Sequence, residues 1–164
     1  PGVLLLPVKL MKTRGPCVVD NFLPLHKATV HRTASQASID AGKAVTVLTY
    51  LHGTKEAEDA IDQLNAEGYD CDLVELTCLK PFDAETVRTS LARTHKVCIL
   101  DESTRSGGVG ATMSALVAET MFDELDAPVS RLCMEDAPVP YATEMERAMV
   151  KRAADLVEGV KAMC

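Results

Sequence analysis

Two stretches carry residue types that could do chemistry. The first is Gly107-Gly108-Val109-Gly110, which follows an apolar run and opens a helical pattern. A strand, a glycine-rich turn and a helix amino end can together cradle a phosphate, because backbone N–H groups converge there and the helix dipole favours an anion. The spacing is neither the dinucleotide fingerprint nor a phosphate loop ending in Gly-Lys-Ser/Thr. The simpler reading is that the glycines supply left-handed backbone and let the helix approach the sheet closely. The second stretch is Asp101-Glu102, expected at the carboxyl end of a strand, where open α/β sheets place their ligands. A carboxylate there could be an acid, a base or a metal ligand. It could equally be a solvated strand end or pair with Arg105.

The other reactive side chains are dispersed. His26, His31, His52 and His95 lie far apart and read as structural, and no Ser-His-Asp or Cys-His set can be assembled from local motifs. Six cysteines (Cys17, Cys71, Cys78, Cys98, Cys133, Cys164) form no Cys-x-x-Cys pair and have no zinc-finger partners. They read as small hydrophobes in a reducing compartment, not as a disulfide framework or a metal site. Tyr141 is expected to pack the last turn as an aromatic anchor. Asp126, before Ala127-Pro128, reads as a turn residue and Cys164 as a frayed helix end.

The elements that must position these groups come from periodicity. Ala44 to Tyr50 is rich in β-branched residues and reads as a strand. Thr54 is expected to cap a helix with Ala57, Ala60, Ile61 and Leu64 on one face, ending at a left-handed Gly68. A strand over Cys71 to Leu76 precedes the Pro81 turn, and Asp83 is a good N-cap for Ala84 to Ala92. Val97 to Leu100 is continuously apolar, as in a strand covered on both faces. After the glycine turn comes a helix to about Leu125, a strand over Val129 to Cys133, and one last helix from Met145 to Val160. The order is β-α-β-α-β-α-β-α. Short links favour right-handed crossovers and a three-layer α/β/α sandwich with a mostly parallel sheet.

Composition bounds the class. The chain has 164 residues, 47% hydrophobic and 25% charged, enough for one ordinary domain and unlike a disordered or fibrous sequence. Its 17 basic residues against 24 acidic ones give a net charge of −7, which argues against a nucleic-acid binder and for a basic partner. The apolar start, Pro1 to Leu10, is broken by Pro7 and Lys9 and is far shorter than the roughly 20 residues that cross a membrane. Residues 12–40 lack a period and read as a connector or extended arm. The expected division is 1–43 for a connector and 44–164 for the α/β domain. With Pro1 in place of a methionine, the chain reads as a processed protein or a fragment, the fragment being the preferred reading.

Four stretches in order add a resemblance. Leu79-Lys80-Pro81-Phe82-Asp83, Asp101-Glu102 with Arg105 to Ala111, Leu125 to Val129, and Asp136 to Ala142 are similar to the C-terminal domain of the transketolase family, most of all to that of pyruvate dehydrogenase beta subunits. Thr94-His95-Lys96 and Phe82 resemble plastid or cyanobacterial forms, which implies the plastid stroma over the mitochondrial matrix or a bacterial cytoplasm.

On that resemblance, Gly2 to Leu6 is the last strand of an upstream pyrimidine-binding domain, and Phe22 to Val30 is the connector. The resemblance places thiamine diphosphate and magnesium in the full enzyme, held by that upstream domain and the alpha subunit, with no catalytic, cofactor or metal residue in this chain. It implies an isolated chain without activity, an α2β2 heterotetramer with an alpha subunit and a second beta subunit, and docking of the subunit-binding domain of dihydrolipoamide acetyltransferase. In relatives that docking uses the residue matching Asp126 and the terminal carboxylate, here Cys164. A proline usual near Ala153 is absent, so the last two helices are expected to fuse. The same features also fit a beta subunit of another 2-oxoacid dehydrogenase, another transketolase relative, or an interaction module that kept the fold without chemistry.

Overall fold

The computed structural model describes residues 2–8, 10–14 and 24–164. Cys17 and the Phe22-Leu23 part of the expected connector lie outside the described residues. Five strands form one sheet: β1 (Thr29–Arg32), β2 (Ala44–Thr49), β3 (Asp70–Glu75), β4 (Val97–Thr104) and β5 (Ser130–Met134), in the spatial order β1-β3-β2-β4-β5. The four later strands are mutually parallel, and β1 joins β3 antiparallel at one edge. The helices are α1 (Gln36–Asp40), α2 (His52–Asn65), α3 (Ala84–Thr94), α4 (Val109–Thr120), α5 (Thr143–Met149) and α6 (Ala153–Met163). None of them is long and apolar enough to cross a membrane.

The period-2 alternation of the strands divides the core into two layers. Val45, Val47, Leu73, Cys98 and Leu100 face α2 and α6, meeting Ala57, Ile61, Leu64, Leu156 and Val160. Leu48, Val74, Val97 and Ile99 face α3 and α4, meeting Val87, Leu91, Met113 and Val117. The expected three-layer α/β/α sandwich with a mostly parallel sheet is the one observed.

Asp83 caps α3 as expected, accepting from the Thr86 amide at 3.3 Å and the Thr86 hydroxyl at 2.6 Å. It also accepts from the Ala28 amide at 2.9 Å, so the cap ties down the approach to β1. Burial works against its ionisation, but these donors and nearby Lys27 hold its carboxyl below the ordinary range. Gly68 has φ +80°, the left-handed conformation anticipated for it.

Several expectations fail, each for a non-local reason. Residues 29–40 are not an irregular connector: β1 pairs with β3, and Asp72, 1% exposed, takes the Ala34 amide at 2.7 Å and both its oxygens meet Arg93 at 2.9 Å. Thr54 caps nothing, because α2 starts two residues earlier, after a left-handed Leu51 (φ 53°), and the Thr54 hydroxyl is buried without a partner. β4 runs on to Thr104, past the Leu100 boundary, so Asp101 and Glu102 lie inside a strand. The last helix is two helices, not one. Val150 leaves the helical region, and at the start of α6 the Arg152 amide donates to Asp155 Oδ2 at 2.8 Å. Tyr141 packs against nothing: it is 104% exposed, because the whole turn from Glu135 to Val139 stands in solvent with it.

Candidate functional site at the carboxyl edge of the sheet

The chemistry-bearing residues of the sequence meet where β2 and β4 end and α2 and α4 begin. Asp101 sits at the centre, 3% exposed. Its Oδ1 accepts from the Tyr50 hydroxyl at 2.7 Å and the Ser103 amide at 2.8 Å. Its Oδ2 accepts from the Ser103 hydroxyl at 2.6 Å and the Gly110 amide at 2.7 Å. Burial alone would raise its pKa, but the hydroxyls of Ser103 and Tyr50 and the amides of Ser103 and Gly110 outweigh that and hold the carboxyl below its ordinary value. Desolvation and the adjacent carboxylate push the Tyr50 phenol up. Asp101 is therefore a saturated acceptor that satisfies an orphan donor of the first turn of α4. It is neither a solvated strand end nor a partner of Arg105, the two simpler readings of its sequence.

The glycine turn is shaped by the same contact. A Cβ on Gly110 would lie 2.6 Å from Asp101 Oδ2, and one on Gly108 would lie 2.5 Å from the Thr104 carbonyl oxygen. Close approach of helix to strand, not anion binding, is what these glycines serve, since the amide that would greet a phosphate is already taken.

Beside this hub lies a charged chain of groups. His52 Nδ1, at the start of α2, is 3.3 Å from Glu102 Oε1 and 4.0 Å from Glu56 Oε1, without the alignment of a hydrogen bond to either. Glu56 accepts from the Arg152 guanidinium at 3.0 Å and from the Ala153 amide at 3.0 Å. His52 and Glu56 could have been paired from their i, i+4 spacing on a helix. Nothing in the sequence brings Arg152 to them across 96 residues.

The donor set does not fit thiamine diphosphate with magnesium. Magnesium needs carboxylate oxygens free to coordinate it. The Asp101 oxygens are saturated and both Glu56 oxygens are engaged, and no group of three His, Cys, Asp or Glu is placed for a metal among the described residues. A cavity of about 410 Å³ does open next to the hub, between residues 2–5 and the segment Leu76 to Lys80, with Tyr50 and Leu51 in its wall. Its lining is largely aliphatic.

The two expected partner-binding residues lie on the opposite, amino edge. Asp126 is exposed, and its amide donates to the His95 carbonyl at 2.8 Å just ahead of β4. Cys164 ends α6, whose Lys161 pairs with Glu67 ahead of β3. The edge is shared, but the strands they flank differ, and no hydrogen bond joins the two.

Residues 35–156 match the family model described as the transketolase C-terminal domain. The chain belongs to that family. Among members of wider length, the pyruvate dehydrogenase E1 component subunit beta of Porphyra purpurea is 37% identical over 162 residues, 98% of this chain and 46% of that protein. The chloroplastic subunit beta-2 of Arabidopsis thaliana is 38% identical over 123 residues, 75% of this chain and 30% of that protein. The chain thus spans less than half the length of these curated relatives. A solved split-gene transketolase, an inactive beta4 tetramer, superposes with a TM-score of 0.69 at 25% identity, covering 90% of this chain and 44% of that one. A 2-oxoglutarate:ferredoxin oxidoreductase from Magnetococcus marinus shares the fold, with a TM-score of 0.54 at 13% identity. The transketolase C-terminal domain match begins beyond β1, so the antiparallel edge strand is an addition to the matched segment.

Proposed function

We propose that this chain is the assembly domain of a pyruvate dehydrogenase E1 beta subunit of the plastid stroma, preceded by residues 1–43 as the end of a pyrimidine-binding domain and its connector. The observation that carries the reading is the 37% identity running through 98% of the chain, connector residues included. In the whole enzyme the domain supports thiamine-diphosphate-dependent oxidative decarboxylation of pyruvate to acetyl-CoA, with the cofactor and magnesium held by other domains. The saturated Asp101 carboxylate and the engaged Glu56 carboxylate support a domain that holds shape and does not react.

Its partners are an alpha subunit, a second beta subunit and the subunit-binding domain of dihydrolipoamide acetyltransferase. Helix α5 supports such partners, because none of its residues is buried and its seven residues are too few to be stable alone. Tyr141 and Met145, four residues apart, are both exposed and form an apolar pair that a neighbouring subunit would cover. For the acetyltransferase, exposed Asp126 and the Cys164 carboxylate are the docking groups, each able to form charge-assisted hydrogen bonds with Arg or Lys.

The test is a calorimetric titration of the chain with the subunit-binding domain, alongside a pyruvate decarboxylation assay with thiamine diphosphate and magnesium. Binding that weakens about tenfold or more in Asp126→Asn, with no turnover by the chain alone, is expected. Turnover by the isolated chain would place catalytic groups in it and overturn the reading, and absence of binding would remove the docking role.

A further inference from the structure

Phe122 is 73% exposed, an unusual place for one of only three phenylalanines in the chain. It opens a single 3-10 turn, Phe122–Glu124, between α4 and β5. The residues on either side are fixed. Met121 is buried in the core under α3 and α4, and Leu125 packs against the same cluster. The Leu125 amide donates to the Phe122 carbonyl at 3.1 Å and the Asp126 amide to the His95 carbonyl at 2.8 Å, while the His95 ring meets the Glu124 carbonyl at 3.0 Å. Arg88 of α3 donates to the Thr120 carbonyl and lies 3.7 Å from Glu124. The backbone under Phe122 is therefore pinned from both ends, so its ring is displayed on a preorganised turn.

The surroundings of that ring are acidic. From Glu119 to Asp126 the chain carries Glu119, Asp123, Glu124 and Asp126 and no lysine or arginine, and Arg88 answers Glu124 alone. An apolar face rimmed by Glu119, Asp123 and Asp126, which form no ion pair among the described residues, repels a second acidic copy of this chain and suits a cation. Arginine stacks on an aromatic face and can reach a carboxylate with the same guanidinium. A rigid aromatic group that orders nothing further on binding is the kind of residue that carries most of an interface's energy.

We propose that Phe122 is the anchor of a docking surface for an arginine-bearing segment of a basic partner protein, with Asp123 and Asp126 as its charged flanks. The proposal rests on the docking role given to Asp126 above and adds the residue that supplies the contact energy. Asp126 then governs the charge steering, and Phe122 the tightness.

Calorimetric titration of the full chain with the acetyltransferase subunit-binding domain, at low and at high salt, separates the two. Phe122→Ala is expected to weaken binding about tenfold or more at both salt concentrations, Phe122→Tyr to bind like the parent, and Asp126→Asn to flatten the salt dependence. Circular dichroism on each variant confirms the unchanged fold expected for an exposed position. If Phe122→Ala binds within about twofold of the parent while Asp126→Asn does not, the anchor role is wrong and the docking role of Asp126 stands. If the parent chain does not bind at all, the docking reading itself fails. Loss in Phe122→Ala of a self-association seen by sedimentation would assign the surface to a second copy and overturn the proposal.

Discussion

Glu56 on α2 holds the start of α6, accepting from the Arg152 guanidinium and the Ala153 amide at 3.0 Å each. This pair does what a proline near Ala153 would do by covalent restriction: it fixes where the last helix begins. Arg152 itself has extended backbone and its amide donates to Asp155 Oδ2, so the chain is turned by 150–152 and α6 can lie back along α2.

Removing that acceptor should loosen α6. Glu56→Ala leaves a guanidinium and a helix amide without their partner and is expected to cost about 2 kcal/mol in urea unfolding. Glu56→Gln keeps one oxygen acceptor and should cost roughly half as much. Equal stability of Glu56→Ala and the parent would show that the Arg152-Asp155 cap suffices alone.

Asp101 sets an acid limit on stability. Its folded pKa lies below its unfolded value of about 3.9, so its contribution is complete above that value and is lost as pH falls through the folded one. Asp101→Asn cannot accept from all four donors and should destabilise the chain by about 2 to 3 kcal/mol at neutral pH. It should also flatten the stability profile below about pH 4 relative to the parent. Parallel acid limbs in the two proteins would mean that other carboxylates control acid unfolding.

The glycine turn yields a graded pair of variants. Gly108→Ala drives a methyl against the Thr104 backbone oxygen and the Ser103 side chain, whereas Gly110→Ala meets side-chain atoms of Asp101 and no backbone. Both should lower thermal stability, by about 1 to 3 kcal/mol, with Gly108→Ala the worse. The opposite order would show that the Asp101 hydrogen bonds matter more than backbone clearance.

How much of this was legible in the sequence follows the range of the interactions. Local signals carried far: the Val45 to Leu48 run, the Ala57-Ala60-Ile61-Leu64 face, the Asp83 cap and Gly68 all depend on neighbours within a few residues. β1 did not, because Thr29 to Arg32 has no period of its own and becomes a strand by pairing with β3. The end of the last helix pair did not either, since its break is enforced by Glu56. Asp101 was visible as a carboxylate in the right place, but its role depends on Tyr50, Ser103 and Gly110 converging from three elements. Phe122 was hidden for the converse reason: an apolar residue in an apolar pattern gives no sign that its neighbours, and not it, enter the core.

The antiparallel edge strand also orders events in time. Thr29 of β1 pairs with Glu75 of β3, which leaves the ribosome 46 residues later, and at about 5 to 20 residues per second that is a wait of roughly 2 to 9 seconds. During that interval β1 has no partner. Pairing must follow the β2-α2-β3 crossover, whose two strands are neighbours in the sheet, and the Asp72 contacts to Ala34 and Arg93 then close the edge only after α3 has formed. β1 is made before its four neighbours in the sheet and is thus among the last of the five to be secured.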